Sequence, residues 1–203
     1  MGLFGRARSN DASDRWVVVG LGNPGEKYAK TRHNAGAVVL DELLRRKDSS
    51  LKRHKSGCAI AEISVGDQRM VLARPMSYMN ESGRPVRELV RWYKVPLEQV
   101  IVVHDELDIP IGEVRIKVGG GTAGHNGVKS VASHLGSKEF IRVRVGVGRP
   151  RGRQDSVDYV LSDFSSSERK ELDLIIQEAA DAVERIVEVG AERAMNEVNT
   201  RPG

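Results

Sequence analysis

Val17-Val18-Val19-Gly20-Leu21-Gly22-Asn23-Pro24-Gly25, continuing through Lys27, Tyr28 and Lys30 to Arg32-His33-Asn34, is the stretch on which both the fold and the chemistry of this chain turn. Its consecutive valines favour extended backbone, so Trp16 to Leu21 reads as a buried strand. Val38, Val39, Leu43 and Leu44 lend a partly apolar face to a helix that begins near Asn34. Arg45, Arg46 and Lys47 then suit the negative end of its dipole. Gly20, Gly22 and Gly25 spell G-x-G-x-x-G, the pattern of a dinucleotide-binding turn. Such a turn must open straight into a helix whose N-terminus meets the pyrophosphate. Glu26 to Arg32 carries no apolar helical stripe, so the nucleotide reading is set aside.

Outward from this stretch, the hydrophobic pattern gives an α/β protein. Ala59 to Ile63 and Met70 to Ala73 read as strands joined at Gly66-Asp67, and Ser77 to Lys94 holds a helix in its later part with Pro85 in the first turn. Val100 to Val103, apolar throughout, suits a central strand covered on both faces. Gly127 to Leu135 is expected to be helical, as is 166–189, where Leu172, Ile175, Ile176, Ala179, Val183 and Ile186 recur at helical spacing. In Val114 to Val118 and in Ile141 to Val145, aliphatics alternate with cations, so each strand presents two cations on one face. Arg149, Arg151 and Arg153 follow directly. A solvated edge explains such strands singly; two of them flanking the glycine run 119–121 favour phosphate binding.

The 203 residues suit one domain, placed at 16–200. Residues 1–15 carry Arg6, Arg8 and Arg15 without a long apolar run, which reads as a basic, disordered extension rather than a signal peptide. No apolar stretch approaches the roughly 20 residues of a membrane span. Cys58 is the single cysteine, which excludes an internal disulfide and any cysteine metal cluster. The expected location is cytoplasmic. The net charge of +4 is mild, and its distribution matters more than its size.

Five histidines remain to be sorted, at 33, 54, 104, 125 and 134. None has a metal-binding spacing such as H-E-x-x-H. His54 and His134 take the structural reading. His33 stands in a polar loop after a strand, and Asp105 lies beyond the end of a second apolar strand. Were those strands parallel neighbours, carboxylate and imidazole would meet above one sheet edge, where an Asp fixes the tautomer of a His base. No G-x-S-x-G nucleophile elbow occurs, so the expected chemistry is a base-activated water. Asn23, Asn80 and Asn126 each lie in turn-like settings; turn chemistry accounts for any one of them, while their amides also suit peptide binding and oxyanion stabilisation. The run Gly119 to Gly127 offers backbone amides to an anion or is simply a flexible loop.

These residues resemble the bacterial-type peptidyl-tRNA hydrolase family. The resemblance rests on four blocks in order: 20–25 through Tyr28 to 31–36; Arg74-Pro75 with 78–83; His104-Asp105-Glu106-Leu107-Asp108; and Gly119-Gly120-Gly121 with Gly124-His125-Asn126-Gly127. Phe140 to Gly148 is a softer fifth match, and the whole covers roughly residues 16 to 190. It implies a single-domain α/β fold with a twisted mixed sheet flanked by helices, without cofactor or metal, usually monomeric. It implies hydrolysis of the ester between a peptide, or another N-blocked aminoacyl group, and the 3′ ribose of tRNA. His33 matches the family's base, Asp105 its orienting partner and Asn80 the group that holds the substrate and steadies the intermediate. Asn23 and Asn126 match further substrate contacts, Tyr28, Tyr78 and Met79 the pocket, and Lys117 and Arg144 the cations gripping a tRNA phosphate. On this reading the glycines at 20–25 let Asn23 and the backbone approach a peptide. Thr122-Ala123 departs from the family pattern, where a bulkier polar residue and Gly are expected. A non-catalytic RNA-binding relative of the same fold is the alternative from another class.

Overall fold

In the computed structural model, which describes residues 14–150 and 152–200, the elements follow in the order β1 (Arg15–Gly20), α1 (Ala35–Arg46), β2 (Lys52–Arg53), β3 (Cys58–Val65), β4 (Gln68–Pro75), α2 (Gly83–Tyr93), β5 (Val100–Glu106), β6 (Val114–Val118), α3 (Asn126–Leu135), β7 (Ile141–Gly146), α4 (Ser156–Val160), α5 (Glu168–Val189) and α6 (Ala191–Asn199). Residues 1–13 and Arg151 lie outside the described residues. Of the expected disordered extension, Arg15 is already part of β1.

The seven strands form one mixed sheet in the order β2-β3-β4-β1-β5-β7-β6. β1 runs parallel to both β4 and β5, and β5 parallel to β7; the outer pairs β2–β3, β3–β4 and β6–β7 are antiparallel. Because strand side chains alternate, Val17 and Val19 enter one apolar cluster and Val18 the other. β5 repeats this: Val100 and Val102 pack with Leu89 and Val131 from α2 and α3, and Ile101 and Val103 with Leu40 and Leu43 of α1 and Ile186 of α5. A Leu at such a position, fully buried, costs about 2–5 kcal/mol when cut to Ala. The expected mixed sheet between helices is therefore the fold observed. Among the described residues no helix is long and apolar enough to cross a membrane.

The structure adds α6, the two-residue β2 and the one-turn α4 to the elements legible in the sequence. α6 closes the sheet edge: the Asn199 side chain accepts from Ile116 N at 2.8 Å and donates to Ile116 O at 2.9 Å. An amide side chain thus takes the place of a neighbouring strand on the exposed side of β6.

Candidate active site

β1 and β5 end side by side, where open α/β sheets build their sites. Beyond β1 the chain still pairs with β5, Leu21 N donating to Val103 O at 3.1 Å. The Leu21 carbonyl then accepts from Ala37 N at 2.9 Å and satisfies a donor in the first turn of α1. The helix start that a dinucleotide fold leaves to a pyrophosphate is thus occupied by the chain itself. A Cβ on Gly20 would lie 2.5 Å from Gly36 O, and one on Gly36 only 2.1 Å from Val103 O. Gly22 would likewise press on Ala37 and Asn34. Gly20 and Gly22 therefore serve helix-on-strand packing, a correction to the expectation that they open the backbone to a peptide.

His33 sits in a 3₁₀ turn, Arg32–Asn34, whose flanking side chains are both buried and both committed. Asn34 pairs with the main chain of Asn23, its Oδ1 accepting from Asn23 N and its Nδ2 donating to Asn23 O, each at 2.9 Å. Arg32 donates to Ser162 Oγ and Asp163 O at 2.7 Å and forms an ion pair with Glu168 at 2.7 Å, its guanidinium 4.3 Å from the centre of the Tyr159 ring. One neighbour ties His33 to the loop after β1, the other to the segment after α4.

The parallel pairing of β1 and β5 brings imidazole and carboxylate together as the strand reading required. His33 Nδ1 lies 3.0 and 3.1 Å from the two Asp105 oxygens. A second imidazole reaches the same carboxylate, with His125 Nε2 2.8 Å from Asp105 Oδ1. Burial opposes the Asp105 charge, but His125 and His33 outweigh it and hold the carboxyl well below the usual carboxylate range. His104 is fully buried beside His125, their rings 4.8 Å apart, and burial keeps it neutral. Donor atoms of His33, Asp105 and His125 lie within 4.8 Å of one another. The imidazole nitrogens concerned are hydrogen-bonded to Asp105. Cys58 is buried, which pushes its thiol up to about 12 and removes it as a nucleophile.

A cleft of about 510 Å³ opens over this array. Asn23, His33, Tyr78, Met79, Asn80, Asp105 and Asn126 all line it. Asn23 Oδ1 accepts from Met79 N at 2.8 Å, which leaves its amide N–H groups for the cleft. Asn80 is exposed, and its amide has no partner among the described residues. Tyr28 is not a lining residue; the Lys27 ammonium lies 4.7 Å over its ring. Val157, Val160 and Leu161, from α4 and its end, form an apolar wall absent from the sequence reading. A five-residue helix is too short to carry a periodic signal. His125 was equally illegible: it caps α3 in place of the usual Ser, Thr, Asp or Asn.

The cations of β6 and β7 share the face away from α5, with Arg115 opposite Arg144 and Lys117 opposite Arg142. β7 is an inner strand, and Arg142 is buried beneath the glycine run, donating to Gly119 O and Gly121 O. Two carbonyls of that run thus turn towards a cation, where the sequence left open backbone donors for an anion or a flexible loop. Arg115 is held by Glu113 and Asn199 O. Lys117 has no hydrogen bond or ion pair among the described residues, and Arg144 has only a 4.0 Å contact with Glu106. Ala123, at the departure from the family pattern, has φ 48° in the left-handed region.

Residues 17–203 match the family model described as peptidyl-tRNA hydrolase. The chain is 53% identical over 189 residues to a peptidyl-tRNA hydrolase of Kineococcus radiotolerans, covering 90% of this chain and 96% of that protein. It is 54% identical over 181 residues to that of Frankia casuarinae, covering 89% and 92%. The crystal structure of peptidyl-tRNA hydrolase from Acinetobacter baumannii superposes with a TM-score of 0.86 at 35% identity, over 93% of this chain and 96% of that one. On sequence and on fold alike, the chain belongs to the peptidyl-tRNA hydrolase family.

Proposed function

We propose that this cleft hydrolyses the ester joining a peptide, or another N-blocked aminoacyl group, to the 3′ ribose of tRNA, with His33 activating the attacking water and the free tRNA returned for reuse. The observation that carries the reading is the His33–Asp105 pair, in which Nδ1 is bound to the carboxylate and Nε2 is left to the cleft. An ionised Asp105 accepts the Nδ1 proton and so keeps a lone pair on Nε2. The water gives a proton to Nε2 as its oxygen bonds to the ester carbonyl carbon, and Asp105 balances the imidazolium. The carbonyl oxygen becomes an oxyanion, which the Asn80 amide, without a partner among the described residues, is assigned to steady. The bond to the ribose 3′ oxygen then breaks, and that oxygen takes the proton from Nε2. A positioned base supplies about 10²–10⁴-fold and one oxyanion donor about 10²–10³-fold. Asn23 and Asn126 are assigned to the peptide amides, with Tyr78 and Met79 as pocket walls.

The four cations of β6 and β7 sort themselves by what already holds them. Arg115 and Arg142 are committed internally, which leaves Lys117 and Arg144 for an RNA phosphate. A single domain acting as a cytoplasmic monomer completes the proposal. Cleavage of N-acetylated aminoacyl-tRNA by wild type and His33→Ala tests it, with an expected loss of about 10²–10⁴-fold. An undiminished variant would remove His33 as the base, and an inactive wild type would favour the non-catalytic RNA-binding alternative.

A further inference from the structure

We infer that His125 is a positioning residue for the hydrolytic pair: it fixes Asp105 and sets the strength of the base that Asp105 serves. Asp105 is 3% exposed, yet its Oδ1 accepts from two imidazoles, His33 Nδ1 at 3.0 Å and His125 Nε2 at 2.8 Å. The proton positions on His125 follow from its other side. Its Nδ1 lies 3.1 Å from Gly127 N and 3.3 Å from Val128 N, the unsatisfied amides at the start of α3. Both amides can only donate, so Nδ1 must carry a lone pair, and the proton of the neutral ring stands on Nε2, aimed at Asp105. The helix start therefore dictates the tautomer of His125, and His125 dictates which way the carboxylate faces.

Asp105 thus divides its charge between two donors. With both in place the carboxylate stays ionised, but less of its attraction is available to a proton arriving on His33. The titratable and charged groups around Asp105 are few. His33 comes from the turn before α1, His125 from the start of α3, and His104 from β5 itself, its Nδ1 2.7 Å from the Asp105 carbonyl. Arg142 and Arg144 of β7 stand in register with Val102 and His104, on the other face of the sheet from Asp105, with Arg144 4.0 Å from Glu106. None of these except His33 and His125 hydrogen-bonds to the carboxylate.

This inference rests on His33 being the base, and two substitutions separate the two jobs of His125. Asn places an acceptor where Nδ1 stands and keeps the cap; Gln places a donor where Nε2 stands and keeps the contact with Asp105. In His125→Asn the acid limb of the kcat/KM profile moves to higher pH by about half to one unit, because Asp105 turns its full charge on His33, while Tm holds. In His125→Gln the limb stays in place and Tm falls by about 2–4 °C from the lost cap. A wild-type profile in His125→Asn, or losses in both variants that merely follow Tm, would overturn the role. Nitrogen-15 NMR of the histidine rings in the wild-type protein gives a readout independent of activity: His125 protonated on Nε2 is expected, and a proton on Nδ1 overturns the proposal. Retained cleavage by His33→Ala would instead overturn the assignment of the base and leave the His125 tautomer standing.

Discussion

β5 and β7 are adjacent strands, yet the groups they present are treated in opposite ways. At the end of β5, Asp105 is buried and held by two imidazoles, and His125 uses both ring nitrogens. On β7, Arg144 has its nearest counter-charge 4.0 Å away at Glu106 and an Nε with no partner, and Lys117 of β6 has no ion pair among the described residues. The difference separates two requirements. A base must stand in one protonation state before the substrate arrives, so its surroundings are fully used within the protein. A grip on a polyanion needs charge left uncompensated, since charge already neutralised releases no counterions on binding.

The largest expected effect breaks the comparison on the catalytic side. Asp105→Asn offers an amide where His33 needs an acceptor, and kcat should fall about 10²–10⁴-fold with KM for tRNA substrates little changed. A change confined to KM would mean that the carboxylate belongs to binding. A smaller effect sharpens the other side: Lys117→Ala or Arg144→Ala should raise KM for tRNA substrates about tenfold and lower the salt dependence of binding by roughly one charge. Short aminoacyl-ester mimics should be hydrolysed as by wild type, and parallel losses on both substrates would remove the phosphate role. The smallest effect is one of stability. Burial first, then the neighbouring His125, keeps His104 neutral well below the usual range, whereas the unfolded chain protonates it near pH 6.5. Above that pH it contributes no slope; as pH falls below it the unfolded state gains a proton the folded state refuses, and stability drops by up to about 1.4 kcal/mol per unit. Denaturant midpoints of wild type and His104→Asn at pH 5 and 7 should show the slope reduced in the variant; an equal slope would assign it to another group.

The parts legible from sequence were those that repeat or alternate. Valine runs gave β1 and β5, and reading both strand ends as site positions brought His33 to Asp105 because parallel neighbours end on the same side. Aliphatic and cationic alternation placed the faces of β6 and β7, but it did not reveal that Arg142 is buried, since that depends on a loop folding back to meet it. His125 escaped for a related reason: its role needs α3 to start there and β5 to end nearby, and neither fact is written at residue 125. The glycines at 20 and 22 carried a local pattern whose meaning lay 14 or more residues away, at Gly36 and Ala37.

That last contact sets a tolerance. Gly36 lets the first turn of α1 rest on the carbonyl of Val103 with no side chain between them, three residues after His33 and two residues before Asp105. The spacing of His33 and Asp105 is therefore gauged by main chain against main chain. The protein keeps the His33–Asp105 pair in register by a part that has no side chain to vary.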